Sequence, residues 1–228
     1  MLDTHFRMKK VQMFYDVVSP YSWVGFELLQ RYSRKWNFVL DLCPFFLGGI
    51  MKGSSNRPPG MNAAKAAYMG ADLKRISAYY DIPLNIPSDP AEVMFNKGSL
   101  SAQRLLTAVK IHCPEYLVPV SRQLWLRIWS YDEDITTNDS LKLVSEKAGI
   151  PLKAINNLID QVTTDSIIEE LKRTTQEALD SGAFGAPWII ADVGGVRKCY
   201  FGSDRMELLA DSLGEKYEGP LVDLKASL

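Results

Sequence analysis

The stretch Val11-Gln12-Met13-Phe14-Tyr15-Asp16-Val17-Val18-Ser19-Pro20-Tyr21-Ser22-Trp23-Val24-Gly25-Phe26-Glu27-Leu28-Leu29 changes character once, at Ser19-Pro20. Before that point Val11, Met13, Phe14, Tyr15, Val17 and Val18 make a near-continuous apolar run, as a strand buried on both faces does. Ser is a preferred helix N-cap. Pro is favoured at the first helical position because its missing N–H would be unpaired there. Beyond it Trp23, Phe26 and Leu29 recur at helical spacing with Val24 and Leu28 beside them, which predicts a largely buried helix. Strand, tight turn and helix put Ser19 where backbone N–H groups converge at the positive end of the helix dipole, a place that favours an anion. Taken by itself, the S-P-x-S turn reads as no more than a plain cap at Ser19 and a surface hydroxyl at Ser22.

Outward from this turn, Trp36-Asn37 breaks the helical pattern, and Phe38 to Phe46 reads as a second strand whose Pro44 bends its end or marks a sheet edge. Leu47 to Met51 leads into Lys52-Gly53-Ser54-Ser55-Asn56-Arg57-Pro58-Pro59-Gly60, a loop by composition. From about Met61 to Gly182 the signals are helical. Ala102, Leu105, Leu106, Val109 and Cys113 share one face. Leu124, Trp125, Ile128 and Trp129 mark the next helix, the two tryptophans reading as core. Asn138 or Asp139 is placed to cap a third. Pro151 opens a fourth, and Asp165 to about Ala178 forms a fifth. Strand pattern returns at Pro187-Trp188-Ile189-Ile190-Ala191, with Gly194-Gly195 turning into Val196 to Phe201. Gly202-Ser203-Asp204 starts a last helix, and the tail after Gly219 reads as a surface arm. The order β-α-β, helical block, β-β-α defines an α/β fold. It resembles a thioredoxin-like βαβ-ββα frame, expected over residues 1–60 and 183–228, split by an all-helical insertion over residues 61–182.

The 228 residues, 46% hydrophobic and 23% charged, fit a globular chain with a substantial core. A net charge of −1 gives no electrostatic case for nucleic acid or an anionic membrane surface. No apolar run is long enough to span a bilayer. Cys43, Cys113 and Cys199 are scattered and odd in number, which reads as a reducing compartment without a disulfide framework. His5 and His112 are far apart, and no Cys/His group has metal-ligand spacing, so no metal is expected. The first ten residues lack the apolar core of a secretory signal. The last three, Ala226-Ser227-Leu228, resemble a peroxisomal address without its basic middle residue.

With two small polar residues spaced x-x at its turn, the first stretch resembles the thioredoxin superfamily, where the pair is usually Cys-x-x-Cys. Here it is Ser19-Pro20-Tyr21-Ser22, so a dithiol–disulfide cycle at this turn is impossible. The run F-Y-D-V-V-S-P-Y-S-W, together with I-M-K-G-S-S-N-R-P-P, L-W-L-R-I-W-S-Y-D-E-D-I-T and F-G-S-D-R-M-E-L-L, resembles the kappa class of glutathione transferases. The likeness covers about Val11 to Gly219. It implies the DsbA-like branch of the fold, glutathione as co-substrate rather than cofactor, a homodimer, and a mitochondrial, peroxisomal or cytosolic location.

The resemblance also assigns roles. Ser19 is expected to donate to the glutathione thiolate, with the N–H groups of Tyr21 or Ser22 adding to the field and Pro20 and Tyr21 lining the site. Pro187 is expected cis, which leaves Ala186 free to pair its backbone with the tripeptide as an added strand does. Kappa enzymes often carry a larger apolar residue where Ala186 stands. Ser203 and Asp204 suit the α-carboxylate and ammonium of the γ-glutamyl end, Asn56 the peptide backbone, and Lys65 the glycyl carboxylate. Capping and solvated surface charge are the bland readings of Ser203, Asp204 and Lys65. The expected reaction is thiolate attack on a small electrophile, with hydroperoxide reduction beside it. Two rivals are a glutathione-dependent isomerase of the 2-hydroxychromene-2-carboxylate type and a redox-silent thioredoxin-like binding or chaperone module.

Overall fold

A computed structural model describes residues 9–222; the expectations about the first residues and the last three lie outside them. Strand β1 (Lys10–Tyr15) leads through the Ser19 turn into helix α1 (Pro20–Tyr32), and β2 (Val39–Pro44) follows. After the helical block come β3 (Trp188–Val193), β4 (Val196–Phe201) and α9 (Met206–Leu213). The four strands lie in the order β2-β1-β3-β4. β1 is parallel to β2 and antiparallel to β3, and β3 and β4 form a hairpin through Gly194-Gly195. Both glycines take positive φ, 63° and 89°, as such a tight hairpin turn demands. β2 is an edge strand and Pro44 is its last residue, opposite Tyr15, where a missing N–H costs the ladder little.

Alternation along β1 divides the core. Val11, Met13 and Tyr15 face α1 and the helical block, in a cluster with Trp23, Phe26, Leu105, Trp125 and Trp129. Phe14 faces the other way, in a smaller cluster with Cys43, Phe45, Ile50, Ala178, Trp188 and Ile190. Both faces of the sheet are thus covered, which is why the run from Val11 reads as unbroken apolar sequence.

The helical block holds α3 (Ala63–Tyr80), α4 (Leu100–His112), α5 (Leu117–Trp129), α6 (Asn138–Lys147), α7 (Leu152–Gln161) and α8 (Asp165–Asp180). Trp125 and Trp129 are fully buried, as core residues are. Thr137, one residue before the expected caps, caps α6 by accepting from the Ser140 N–H at 3.3 Å.

Three further local expectations change. Leu47–Gly53 is a helix, α2, rather than the approach to a loop. Helix α9 begins at Met206, because Gly202, at φ +97°, makes a turn that leaves Ser203 and Asp204 before the helix. The segment after α9 is tied down as far as Pro220, and the expected arm beyond residue 222 lies outside the described residues. Trp36 Nε1 donates to Lys216 O at 3.0 Å, Tyr32 Oη to Gly219 O at 2.6 Å, and Arg31 to Pro220 O at 2.7 Å.

Candidate active site

Ser19 caps α1 in an extended conformation, φ −91° and ψ 114°, and its Oγ accepts from the Ser22 N–H at 3.1 Å. The same hydroxyl reaches the carbonyl oxygen of Ala186 at 3.4 Å. That carbonyl belongs to the cis peptide bond Ala186–Pro187. Sequence-distant Ser19 and Ala186 therefore meet at the edge of the turn. Glycine at residue 25 eases the close approach of helix α1 to Pro187. A Cβ there would lie 3.2 Å from Pro187 Cγ and 3.4 Å from Met13 Cε. Ser22 is fully buried and its Oγ has no hydrogen-bond partner.

The turn is anchored from the helical block. Trp125 Nε1 donates to Ser19 O at 3.3 Å, and Trp129 Nε1 donates to Val17 O at 3.2 Å. Gln103 on α4 donates to Tyr15 O and Phe45 O at 2.9 and 2.7 Å and accepts from the Val17 N–H at 3.3 Å. Asp16, wholly buried, accepts from the Val18 N–H at 3.0 Å, the Leu47 N–H at 2.9 Å and the Ser99 hydroxyl at 2.8 Å. Burial lifts its carboxyl to about 6, against hydrogen bonds that favour the ionised form.

The other expected residues fall around this turn in two groups. Asn56 Nδ2 donates to Phe184 O at 2.7 Å, which brings its loop to the segment just before Ala186. The Gly202 N–H donates to Pro187 O at 3.1 Å, which seats Ser203, 6% exposed, beside the same proline. Asp204 is exposed and paired with Arg205 at 2.6 Å. On the other side Tyr21 and Lys65 line one cavity of about 390 Å³ with Tyr68 and Met69. Tyr21 Oη donates to Asp72 on α3 at 3.1 Å rather than turning to Ser19; burial and the Asp72 charge push that phenol up. Among the described residues neither Lys65 nor Asp204 hydrogen-bonds to the Ser19 turn.

No thiol of the chain stands in for the missing pair. The three cysteines are free, and Cys43, on β2, is buried, with its thiol pushed up to about 12 chiefly by that burial. No group of three or more His, Cys, Asp or Glu among the described residues could hold a metal ion. No helix among them is long and apolar enough to cross a membrane.

A four-stranded thioredoxin-type sheet, a helical insertion, a capped turn without sulfur and a cis-proline facing it define a DsbA-like thioredoxin-fold protein. The profile of the DSBA-like thioredoxin domain family matches residues 10–214. Among solved structures, a 2-hydroxychromene-2-carboxylate isomerase superposes with a TM-score of 0.71 at 19% identity, covering 96% of this chain and 98% of that one. Human glutathione S-transferase kappa 1 is 48% identical over 213 residues, 93% of this chain and 94% of the relative. The 2-hydroxychromene-2-carboxylate isomerase of Sphingobium xenophagum is 24% identical over 213 residues, 90% of this chain and 98% of its own. The chain belongs to the kappa class of glutathione S-transferases.

Sequence reading missed Asp16, Gln103 and Asp72 as parts of this region. A lone acid inside an apolar strand run was the available signal for Asp16. Gln103 lies one position off the apolar face of its helix and gave none.

Proposed function

We propose that the protein binds glutathione with its sulfur at Ser19 and holds it as thiolate for attack on small electrophiles. The observation that carries this is the Ser19 hydroxyl, fixed at a helix N-terminus and lying 3.4 Å from the carbonyl before the cis-proline. At that length its bond to Ala186 is weak, so the hydroxyl can turn to donate to a sulfur anion while the Ser22 N–H keeps its oxygen in place. A serine hydroxyl is a poor base. It stabilises the anion, and the helix N-terminus adds to the field. Conjugation then forms a carbon–sulfur bond as the leaving group departs with its electron pair, and no covalent enzyme intermediate is involved. Towards a hydroperoxide, the same thiolate would take the terminal oxygen as the O–O bond breaks, and a second glutathione would reduce the resulting sulfenic acid to the disulfide.

The tripeptide is held, in this reading, by the backbone of Ala186, by Asn56 and by Ser203 and Asp204 at one end, and by Lys65 at the other. Pro20, Tyr21, Ser22 and Pro187 shape the site. The greater likeness to a kappa transferase than to an isomerase, 48% against 24%, favours conjugation over isomerisation. A homodimer belongs to the same reading. Helix α3 buries only Leu73 within the chain and leaves Tyr68 and Tyr79 exposed, which suits a face covered by a second copy. Light scattering on Tyr68→Glu and Tyr79→Glu checks that face. A mitochondrial, peroxisomal or cytosolic location is checked by fractionation.

The deciding measurement is ultraviolet thiolate absorbance on adding glutathione across a pH series. The wild-type protein should lower the thiol's apparent pKa from its free value of roughly 8.5. Ser19→Ala should restore it and cut turnover by about 10- to 1000-fold while changing glutathione affinity little. An unchanged titration and turnover in that variant would remove Ser19 from the chemistry. Absence of glutathione binding by calorimetry would leave the redox-silent binding module.

A further inference from the structure

A second cavity, of about 640 Å³, lies between α2, α4 and α8, outside the residues assigned to glutathione. Its volume is in the range of small-molecule sites. Phe46, Leu100, Ile168, Leu171 and Leu179 supply an apolar wall. The charged side chains that line it are all cations: Lys52, Arg104 and Lys172. Lys172 is paired on the surface with Glu169 at 2.7 Å, both well exposed, an arrangement that holds a lysine weakly. Arg104 is different. Its Nε is buried and has no hydrogen-bond partner, and among the described residues no carboxylate pairs with its guanidinium. Buried polar atoms in folded proteins are nearly always satisfied, and the Nε of this half-buried arginine is an exception. The guanidinium fork matches two oxygens of a carboxylate or phosphate, and its weak hydration suits a partly dry site.

We infer that this cavity is a second ligand site, and that it takes an amphipathic carboxylate of the fatty-acid class, its head on Arg104 and its chain along the Leu171–Leu179 wall. Charge and apolarity each narrow the choice. A purely polar anion would leave the wall of leucines wet. A neutral hydrocarbon would leave the buried Nε of Arg104 without an acceptor. An amphipathic cation would meet three like charges. Close approach of α2 to α8 gives the cavity a firm side: a Cβ on Gly49 would lie 3.0 Å from Thr175 Cγ2, and one on Gly53 would lie 2.6 Å from Leu179 Cδ1. The inference does not rest on the glutathione reading, since no residue proposed for glutathione lines this cavity.

The test is calorimetric titration of the full-length protein with laurate, kept below its micelle concentration, with dodecanol and dodecyltrimethylammonium as neutral and cationic controls. Laurate should bind at one site per chain, at least roughly tenfold more tightly than either control, and saturating glutathione should not displace it. Arg104→Met keeps most of the side-chain volume and should weaken laurate roughly tenfold or more. Lys52→Gln, on the exposed side of α2, should weaken it a few-fold with circular dichroism unchanged, so a misfolded Arg104 variant does not leave the question open. Three results would overturn the assignment: no saturable laurate binding, displacement by glutathione, or equal affinity for laurate and dodecanol. A change from dimer to monomer in Lys52→Gln would overturn it too, because this face would then lie between copies of the chain.

Discussion

Asp16 is an acid surrounded by donors, the Val18 and Leu47 N–H groups and the Ser99 hydroxyl, three residues before the serine on which the proposed chemistry depends. Those donors suit an ionised carboxylate, yet burial holds its pKa at about 6 against an ordinary 3.8. Between about pH 4 and 6 the folded chain keeps this proton while the unfolded chain has lost it. Stability from the group is therefore full below about pH 4 and is lost as pH rises through 6, by on the order of 3 kcal/mol for a shift of this size. Asparagine can accept one of the bonds but turns a donor to the others. We expect the urea midpoint of the wild type to fall across this window relative to Asp16→Asn, and parallel curves for the two proteins would mean that Asp16 titrates elsewhere. The residue scale is also where sequence reading was most uneven. Ser19-Pro20 is legible because capping and the fixed φ of proline are local properties. Ala186–Pro187 is legible through resemblance. Asp16 is not, because its role exists only once Leu47 and Ser99, distant in sequence, arrive beside it.

Among the elements, α2 shows the limit of local pattern. Leu47–Gly53 carries three glycines in seven residues, and each lowers helix propensity by about 1 kcal/mol. The helix forms because Gly49 and Gly53 let it lie against Thr175 and Leu179 of α8, a tertiary cause that local pattern does not reveal. Helix α5 was legible as a buried element from its tryptophans, but the use of their indole N–H groups was not. Trp125 donates to the carbonyl of Ser19 beside the Trp23 N–H, each at 3.3 Å, and its ring lies 4.8 Å from that of Phe26, centre to centre. Trp125→Phe retains most of the packing and removes the donor. We expect it to cost about 1 kcal/mol in urea unfolding and to raise the pKa of bound glutathione towards that of the free thiol. A variant with full stability and an unshifted thiol would show that this bond does not position the turn.

In the molecule as a whole, the helical insertion and the sheet share one continuous core, Tyr15 and Phe26 packing with Trp125. The order of elements was enough to reveal the split frame, because the signals are almost all helical from about Met61 to Gly182 and strand pattern returns only near Pro187. It was not enough to reveal how firmly the parts are joined. We propose that residues 61–182 are a unit in topology only, and unfold together with the frame. Gln103 is the residue that argues this most directly. From α4 it satisfies the carbonyls of Tyr15 and Phe45 and the N–H of Val17, closing the ends of β1 and β2. A leucine at this position would fit the space and leave the Phe45 carbonyl and the Val17 N–H without the Gln103 partner, while Tyr15 O keeps its bond from the Phe45 N–H at 3.0 Å; the cost is about 1–3 kcal/mol for each that finds no substitute. The wild-type protein should therefore unfold in urea in one step, with tryptophan fluorescence and far-ultraviolet circular dichroism coincident. Gln103→Leu should shift that single step downwards by on the order of 3 kcal/mol without splitting it. Two separated transitions in the wild type, or a Gln103→Leu midpoint unchanged from it, would mean that the helical block stands on its own and that the turn at Ser19 is held from the sheet side alone.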